Sequence, residues 1–158
     1  MTNPATLQVT TPTDREIVIT RDFNARRDLV FDAHTKPELV KRWMFGPDGW
    51  TFAVCEIDLR VGGKYRFVWR KGTEEMGMGG VYREVARPER LVSNELFDED
   101  WTGGETLNTM VLIERDAGTR LTTTLLYSSK EARDGALQSG MDEGMEAGYA
   151  RLDAIFAE

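Results

Sequence analysis

The sequence contains very little of the two residue types that most often build reactive or metal-binding centres. Among its 158 residues there is one cysteine, Cys55, and one histidine, His34. A single cysteine excludes an intramolecular disulfide and a multi-cysteine metal site. A single histidine excludes any site that needs two imidazoles. We therefore expect neither a metal nor a cofactor.

Long hydrophobic runs and an excess of positive charge are also absent. No stretch of about 18 apolar residues is present, so no membrane-spanning helix is expected. The 20 Lys and Arg against 27 Asp and Glu give a formal net charge of −7, which disfavours binding to nucleic acid or to an anionic membrane. Residues 1–14 lack the charged and apolar regions of a signal peptide. These features predict a cytoplasmic monomer or homodimer without nucleic-acid or membrane partners.

The composition that is present suits one globular domain. Hydrophobic residues make up 41% and charged residues 30% of the chain, which is typical of a folded protein with a sizeable core. Residues 1–14 are rich in Thr and Pro, and we interpret them as a flexible tail. Residues 15–158 are predicted to form the single domain.

The periodicity of apolar residues predicts an α+β fold. A strand is expected at 16–23, followed by a short helix at 27–34 and a second short helix that starts with a capping box formed by Thr35 and Glu38. Residues 64–70 alternate clearly, because Tyr65, Phe67 and Trp69 share one face. Further strands are predicted at 51–59, 77–86, 90–97, 106–115 and 119–127, which makes about seven. We expect a curved antiparallel sheet.

The chain is predicted to end in one long helix, capped near Ser129 and running to about Phe156. Gly140, Gly144 and Gly148 lie four residues apart on it and form one row. Each glycine inside a helix costs about 1 kcal/mol relative to alanine. The row therefore indicates either close packing against a neighbouring element or a cavity between the helix and the sheet.

Several stretches together resemble a known family. They are residues 19–25 (ITRDFNA), 30–33 (VFDA), 37–43 (PELVKRW), 55–60 (CEIDLR), 62–67 (GGKYRF), 80–84 (GVYRE), 88–92 (PERLV) and 131–144 (EARDGALQSGMDEG). In this order they are similar to bacterial homologues of the C-terminal domain of the activator of the ninety-kilodalton heat-shock protein ATPase. That group belongs to the START-like, or SRPBCC, superfamily, and the resemblance covers about residues 16–158.

The resemblance implies a helix-grip fold, as in the birch pollen allergen: a curved antiparallel sheet around a long C-terminal helix, with a cavity between them. Superfamily members bind lipids, polyketides, hormones or other apolar molecules, and some are cyclases. The eukaryotic co-chaperone carries a separate N-terminal domain before this one. Residues 1–14 are too few to replace it, so a heat-shock protein partner is not expected.

Three functions follow as hypotheses. The first is the binding of an apolar or amphipathic small molecule in the cavity. The second is an aromatase/cyclase-type enzyme that uses the same cavity, with His34 as a weak catalytic candidate, although a histidine at a helix end is commonly a surface group. The third is a chaperone-like or stress-related protein-binding module that uses the sheet or the loop at 97–105.

The candidate ligand-binding residues are the aromatic, methionine and glycine positions nearest the expected cavity. Methionines fill ordinary cores as well as adaptable pockets, and the Trp101 loop either packs on the sheet edge, covers the cavity mouth or contacts a partner. The candidates are Trp43, Trp50, Phe67, Trp69, Met78, Tyr82, Trp101, Met141, Gly144, Met145 and Tyr149. Cys55 is interpreted as a small buried thiol, and Glu56, Asp58 and Glu95 as solvent-facing acids unless one of them faces inward.

Overall fold

The structure, a computed structural model, describes residues 7–99 and 103–158. In these ranges the chain forms eight strands and four helices. In chain order they are β1 (Gln8–Thr10), β2 (Glu16–Phe23), α1 (Arg27–Thr35), α2 (Pro37–Trp43), β3 (Thr51–Ile57), β4 (Lys64–Lys71), β5 (Glu74–Ala86), β6 (Arg90–Phe97), β7 (Thr106–Arg115), β8 (Gly118–Leu126), α3 (Lys130–Gln138) and α4 (Met141–Phe156). The predicted α+β class is confirmed, and the predicted order of elements holds from β2 to β8.

All eight strands form one antiparallel sheet in the order β1-β2-β8-β7-β6-β5-β4-β3. Register shifts occur between Phe52 and Val54 in β3 and between Tyr82 and Glu84 in β5. Such bulges bend a strand and increase its twist. They lie at the β3–β4 and β5–β6 pairings, toward the β3 end of the sheet. Gly80 permits a close strand contact there, because a Cβ would lie 1.8 Å from the backbone oxygen of Asn94.

The core lies between the concave face of the sheet and the helices. Its larger cluster includes Phe31 of α1, Val40 of α2 and Leu152 of α4. A smaller cluster lies under α3 and joins Ala136 to Ile17 of β2. The predicted alternation in β4 is confirmed, because its three aromatic side chains are each 7% exposed. None of the four helices in the described part is both long and apolar enough to cross a membrane.

A buried arginine joins the last helix to the sheet. Arg21 of β2 is 3% exposed, and its guanidinium donates to both carboxylates that α4 presents there. The distances are 2.9 and 3.2 Å to Glu146 and 2.8 and 2.9 Å to Asp153. Because both contacts are bidentate, they fix the rotation of α4 as well as its distance from β2.

The C-terminal helix differs from the prediction in one respect. It is divided into α3 and α4, and Gly140 between them adopts a left-handed conformation with φ of 82°. A left-handed glycine just after a helix C-cap is a common way to end a helix, so Gly140 belongs to the turn and not to a three-membered helical row. The predicted cap is confirmed, because the hydroxyl of Ser129 accepts a hydrogen bond from the backbone N–H of Ala132 at 3.0 Å.

The capping box predicted at Thr35 and Glu38 is wrong. Thr35 is the last residue of α1, and its hydroxyl donates to the backbone oxygen of Phe31 at 2.9 Å. Lys36 is the N-cap of α2, and no side chain caps that helix. Pro37 at the first helical position starts it instead, because its fixed φ suits a helix and it lacks the N–H that a cap would satisfy.

The number of strands is eight and not about seven, because β1 lies within the segment predicted to be a tail. Val9 pairs with Ile19 of β2, so β1 becomes the edge strand beside β2. The backbone N–H of Leu7 donates to Glu146 at 2.9 Å. The composition of these residues gives no strand signal. They form a strand because β2 offers a sheet edge to pair with and because a carboxylate of α4 accepts a hydrogen bond from Leu7.

Candidate functional site

A cavity of about 670 Å³ lies between the concave face of the sheet and helix α4. At about 30 Å³ per molecule of liquid water, this volume corresponds to about 22 waters. The alternating inward residues of β4 to β8 form its floor, α4 covers it, and α1, α2 and the α2–β3 loop form one end. The walls are mostly apolar. A space of this size and character is typical of a small-molecule site.

The structure places all ten described candidate residues on the cavity wall. They are Trp43, Trp50, Phe67, Trp69, Met78, Tyr82, Met141, Gly144, Met145 and Tyr149. The eleventh, Trp101, lies outside the described residues. Position on the wall does not by itself show contact with a ligand, so binding by these residues stays a prediction.

Close packing and a cavity were the two interpretations of the glycine row, and each of the two glycines of α4 fits one of them. A Cβ on Gly148 would lie 3.2 and 3.4 Å from carbons of the Trp43 ring, so this glycine permits close packing. A Cβ on Gly144 would meet no atom within 4 Å, and Gly144 lines the cavity. One turn of helix therefore separates a tightly packed contact from an open space.

The aromatic wall at the α2 end is held by hydrogen bonds and ring contacts. The indole of Trp43 donates to the backbone oxygen of Ala33 at 2.8 Å and stacks on Tyr149 with ring centroids 5.8 Å apart. The indole of Trp69 donates to the backbone oxygen of Met44 at 2.7 Å. Because each indole N–H is satisfied by the protein, both rings present apolar surface to the cavity.

His34 lines the cavity beside Trp43 and is largely buried, so it is not the surface group that its place at a helix end suggests. Its Nδ1 is 2.8 Å from the backbone oxygen of Val30, so this nitrogen carries the proton and donates. Its Nε2 is buried without a partner among the described residues. Burial lowers the pKa of His34 to about 4, so the ring is neutral at neutral pH. It contacts Trp43 with centroids 5.0 Å apart.

Glu95 gives the cavity its one carboxylate among the described residues. Leu91, Ser93, Glu95 and Phe97 alternate along β6 and all face the cavity. One carboxylate oxygen of Glu95 accepts a hydrogen bond from the Asn108 amide at 2.7 Å. Glu95 is half-buried, and the surface that it exposes faces the cavity. Desolvation by burial raises its pKa, and the bond from Asn108 opposes this only in part.

The default expectation that Glu95 faces solvent is therefore wrong. The alternation of β6 puts Glu95 on the same face as the apolar Leu91 and Phe97, and this was the signal that could have placed it inward. Ser93 lies on that face as well, and the strand opposite adds Thr106 and Asn108. These side chains make a polar patch in an otherwise apolar cavity.

Two tyrosines lie close enough to Glu95 for its charge to affect them. Burial raises the pKa of the Tyr65 and Tyr127 phenols, and the Glu95 carboxylate raises both further. The Tyr65 hydroxyl donates to the backbone oxygen of Asn94 at 2.8 Å. Aromatic rings from β4 and from the residue that follows β8 therefore line the cavity together with this carboxylate.

Residues 24–157 match the protein family described as activator of Hsp90 ATPase homolog 1-like protein. The chain belongs to this family. The match covers the elements from α1 to α4, which include the whole cavity wall. The expected membership and the helix-grip fold of the START-like superfamily are thus confirmed.

Solved structures agree with the family assignment. A protein from Rhodobacter sphaeroides is 33% identical, with a TM-score of 0.91, over 97% of this chain and 99% of that one. Protein Ms6760 from Mycobacterium smegmatis is 25% identical, with a TM-score of 0.78, over 94% and 96%. An AHSA1-like protein from Aeromonas hydrophila, 19% identical over 90% and 95% with a TM-score of 0.74, shares the fold. No curated protein matches the chain.

Cys55 adds no reactive group to this family member's site. Burial raises the pKa of its thiol to about 11, so the thiol is protonated at neutral pH and weakly nucleophilic. Among residues 7–99 and 103–158, no group of three or more His, Cys, Asp or Glu side chains is placed to hold a metal ion.

Proposed function

We propose that this family member binds an apolar or amphipathic small molecule in the cavity between α4 and the sheet. The observation that carries the proposal is the cavity itself, about 670 Å³ with a mostly apolar wall and one polar patch. Transfer of apolar ligand surface from water to such a wall contributes about 25 cal/mol per Å² buried to the binding free energy. The loss of the ligand's translational and rotational entropy offsets part of this gain. The polar patch provides orientation.

The side chains on the wall support binding more than catalysis. His34 uses Nδ1 on a backbone oxygen, and Glu95 uses one oxygen on Asn108. No hydrogen bond joins one of these two titratable groups to the other within the described residues, so no acid–base pair of the kind used in general catalysis is assembled. The heat-shock ATPase in the family description concerns the protein after which the family is named, and the expectation of no such partner stays a prediction.

The test compares two leucine substitutions at exposed helical glycines. A Cβ meets no atom within 4 Å at either Gly144 or Gly135, but only Gly144 lines the cavity. We expect the apolar dye N-phenyl-1-naphthylamine to bind the wild-type protein with enhanced, blue-shifted fluorescence. Gly144→Leu places a side chain in the cavity and is expected to weaken binding about tenfold. Gly135→Leu is the matched control and is expected to leave binding unchanged.

Two results count against the proposal. The first is wild-type protein that neither enhances the dye fluorescence nor gains thermal stability with the dye. The second is equal weakening by the two leucine substitutions, which places the dye on the helix surface.

A further inference from the structure

The carboxylate in the cavity has no cationic partner in the part of the chain that the structure describes. Glu95 forms no ion pair with any residue in 7–99 or 103–158. Arg151 is the one lysine or arginine on the described wall. Its terminal nitrogens donate to the backbone oxygens of Trp43 and Gly46 at 3.1 and 3.0 Å, and its guanidinium lies over the Phe45 ring. It is therefore held at the α2–β3 loop.

The hydrogen-bonding capacity of Glu95 is also only partly used. Asn108 donates to one of its oxygens, and no described residue donates to the other. A partly buried carboxylate with one donor loses hydration, and a charged partner stabilises it more than a neutral one does. The cavity therefore favours a molecule that brings its own cationic N–H donors to this point.

We propose that the ligand is an amphipathic amine, whose ammonium group binds the Glu95 carboxylate while its apolar body lies against the aromatic and methionine walls. This proposal rests on the proposed binding function and specifies the chemical class of the ligand. The polar end of the ligand would lie at the patch formed by Ser93, Thr106 and Asn108.

The surroundings of Glu95 fit an ammonium group for a second reason. Tyr65 and Tyr127 line the same cavity as the carboxylate, and the faces of aromatic rings attract cations. Phe67 and Phe97 also line this part of the wall. A carboxylate together with aromatic rings binds an alkylammonium by charge and by ring contact at once.

The net charge of the protein also favours a cationic ligand. The formal net charge of −7 attracts cationic ligands during encounter and repels anionic ones. A fatty-acid carboxylate at the polar patch would face Glu95 with no nearby cation to offset the repulsion. The proposal therefore separates amines from the anionic lipids that an apolar cavity would otherwise accommodate.

Three ligands with one apolar body test the proposal. They are 4-phenylbutylamine, 4-phenylbutanol and 4-phenylbutyrate, which are a cation, a neutral alcohol and an anion at pH 7. Their affinities for the full chain are measured by titration calorimetry at low ionic strength. We expect the amine to bind about tenfold or more tightly than the alcohol, and the acid to bind most weakly.

A pair of substitutions assigns the preference to Glu95. Glu95→Gln keeps an oxygen that accepts from Asn108 but removes the charge, so the amine and the alcohol are expected to bind within about twofold of each other. Glu56→Gln is the matched control, because Glu56 is an exposed residue on β3. It removes the same charge from the protein and is expected to keep the preference for the amine.

Each of the other possible outcomes refutes either the amine proposal, the role of Glu95 in it, or the binding function. Equal affinities of wild-type protein for the three ligands refute the amine proposal but leave a binding cavity. Tightest binding of the acid also refutes it and assigns recognition to a cation such as Arg151. A preference for the amine that survives Glu95→Gln shows that net charge, and not this carboxylate, is the cause. Absence of binding by all three ligands and by the naphthylamine dye refutes the binding function itself.

Discussion

Alanine substitutions at Gly144 and Gly148, one turn apart on α4, are expected to have different effects on the stability of the protein. Both replace a helical glycine by a better helix former, which by itself stabilises a helix by about 1 kcal/mol. What differs is the space that the new methyl group enters. At Gly144 it meets no atom within 4 Å, and at Gly148 it lies 3.2 Å from the ring of Trp43.

The ring of Trp43 has little freedom to move away from a methyl group on Gly148. Its N–H is bound to the backbone oxygen of Ala33 at 2.8 Å, its face stacks on Tyr149, and it is 4% exposed. Adding a methyl group to such a contact costs about 1–3 kcal/mol. This cost offsets or exceeds the gain in helix propensity. We therefore expect Gly144→Ala to stabilise the protein and Gly148→Ala to be neutral or destabilising, with about 1–3 kcal/mol between them.

Thermal and urea unfolding of the two variants measure this difference. For a chain of this size, 1 kcal/mol corresponds to about 2–4 °C in Tm, so Gly144→Ala is expected to raise Tm by a few degrees. Equal changes in Tm for the two variants would refute the placement of α4, with an open space under Gly144 and a packed ring under Gly148.

Three further predictions concern buried groups. The pKa of His34 in the folded protein, about 4, lies below its value in the unfolded chain. The free energy of unfolding should therefore fall by about 3 kcal/mol in total as pH decreases from about 6.5 to 4. Urea unfolding at several pH values tests this, and an equally steep fall in the His34→Gln variant would contradict it. Arg21→Met leaves two partly buried carboxylates without their cation and should cost about 3 kcal/mol. Arg120→Met breaks an ion pair whose two side chains are each more than a third exposed and should cost under about 1 kcal/mol; equal losses in chemical unfolding would disprove the role of Arg21 in joining β2 to α4. Since the pKa of Cys55 is about 11, iodoacetamide at pH 8 should alkylate the native thiol about a hundredfold more slowly than the unfolded one, and comparable rates by mass spectrometry would contradict its burial.

Local patterns in the sequence were sufficient for most of the fold. The β-branched run at 16–23 and the alternation at 64–70 correspond to β2 and β4, because the two faces of a strand meet different environments and the chain records this with period two. Ser129 was recognised as a cap because that interaction spans three residues. Thr35 shows the limit of such short motifs, since its hydroxyl bonds backward to α1 and not forward to α2.

The candidate site was predictable in its residue types but not in its electrostatics. Aromatic, methionine and glycine positions were assigned to the wall because bulky apolar groups beside missing side chains indicate unfilled space. Glu95 was not assigned, because an acid in a strand is usually solvated, and only the apolar residues that share its face argued otherwise. His34 stood at a helix end, where no local signal shows that Trp43 covers it.

The sequence by itself determined most of the elements, their order and the family, since these depend on short motifs of residues close together in the chain. The tertiary structure decided where α3 ends and α4 begins, that β1 joins the sheet edge, and that a carboxylate and a neutral imidazole are enclosed at one cavity. The physical reason is that burial and pairing are set by groups distant in sequence, as Arg21 is from Glu146 and Asp153. The scarcity of histidine and cysteine excluded whole classes of chemistry. Only the folded chain places an acid in the cavity with no cation paired to it among the described residues, where a ligand can supply one.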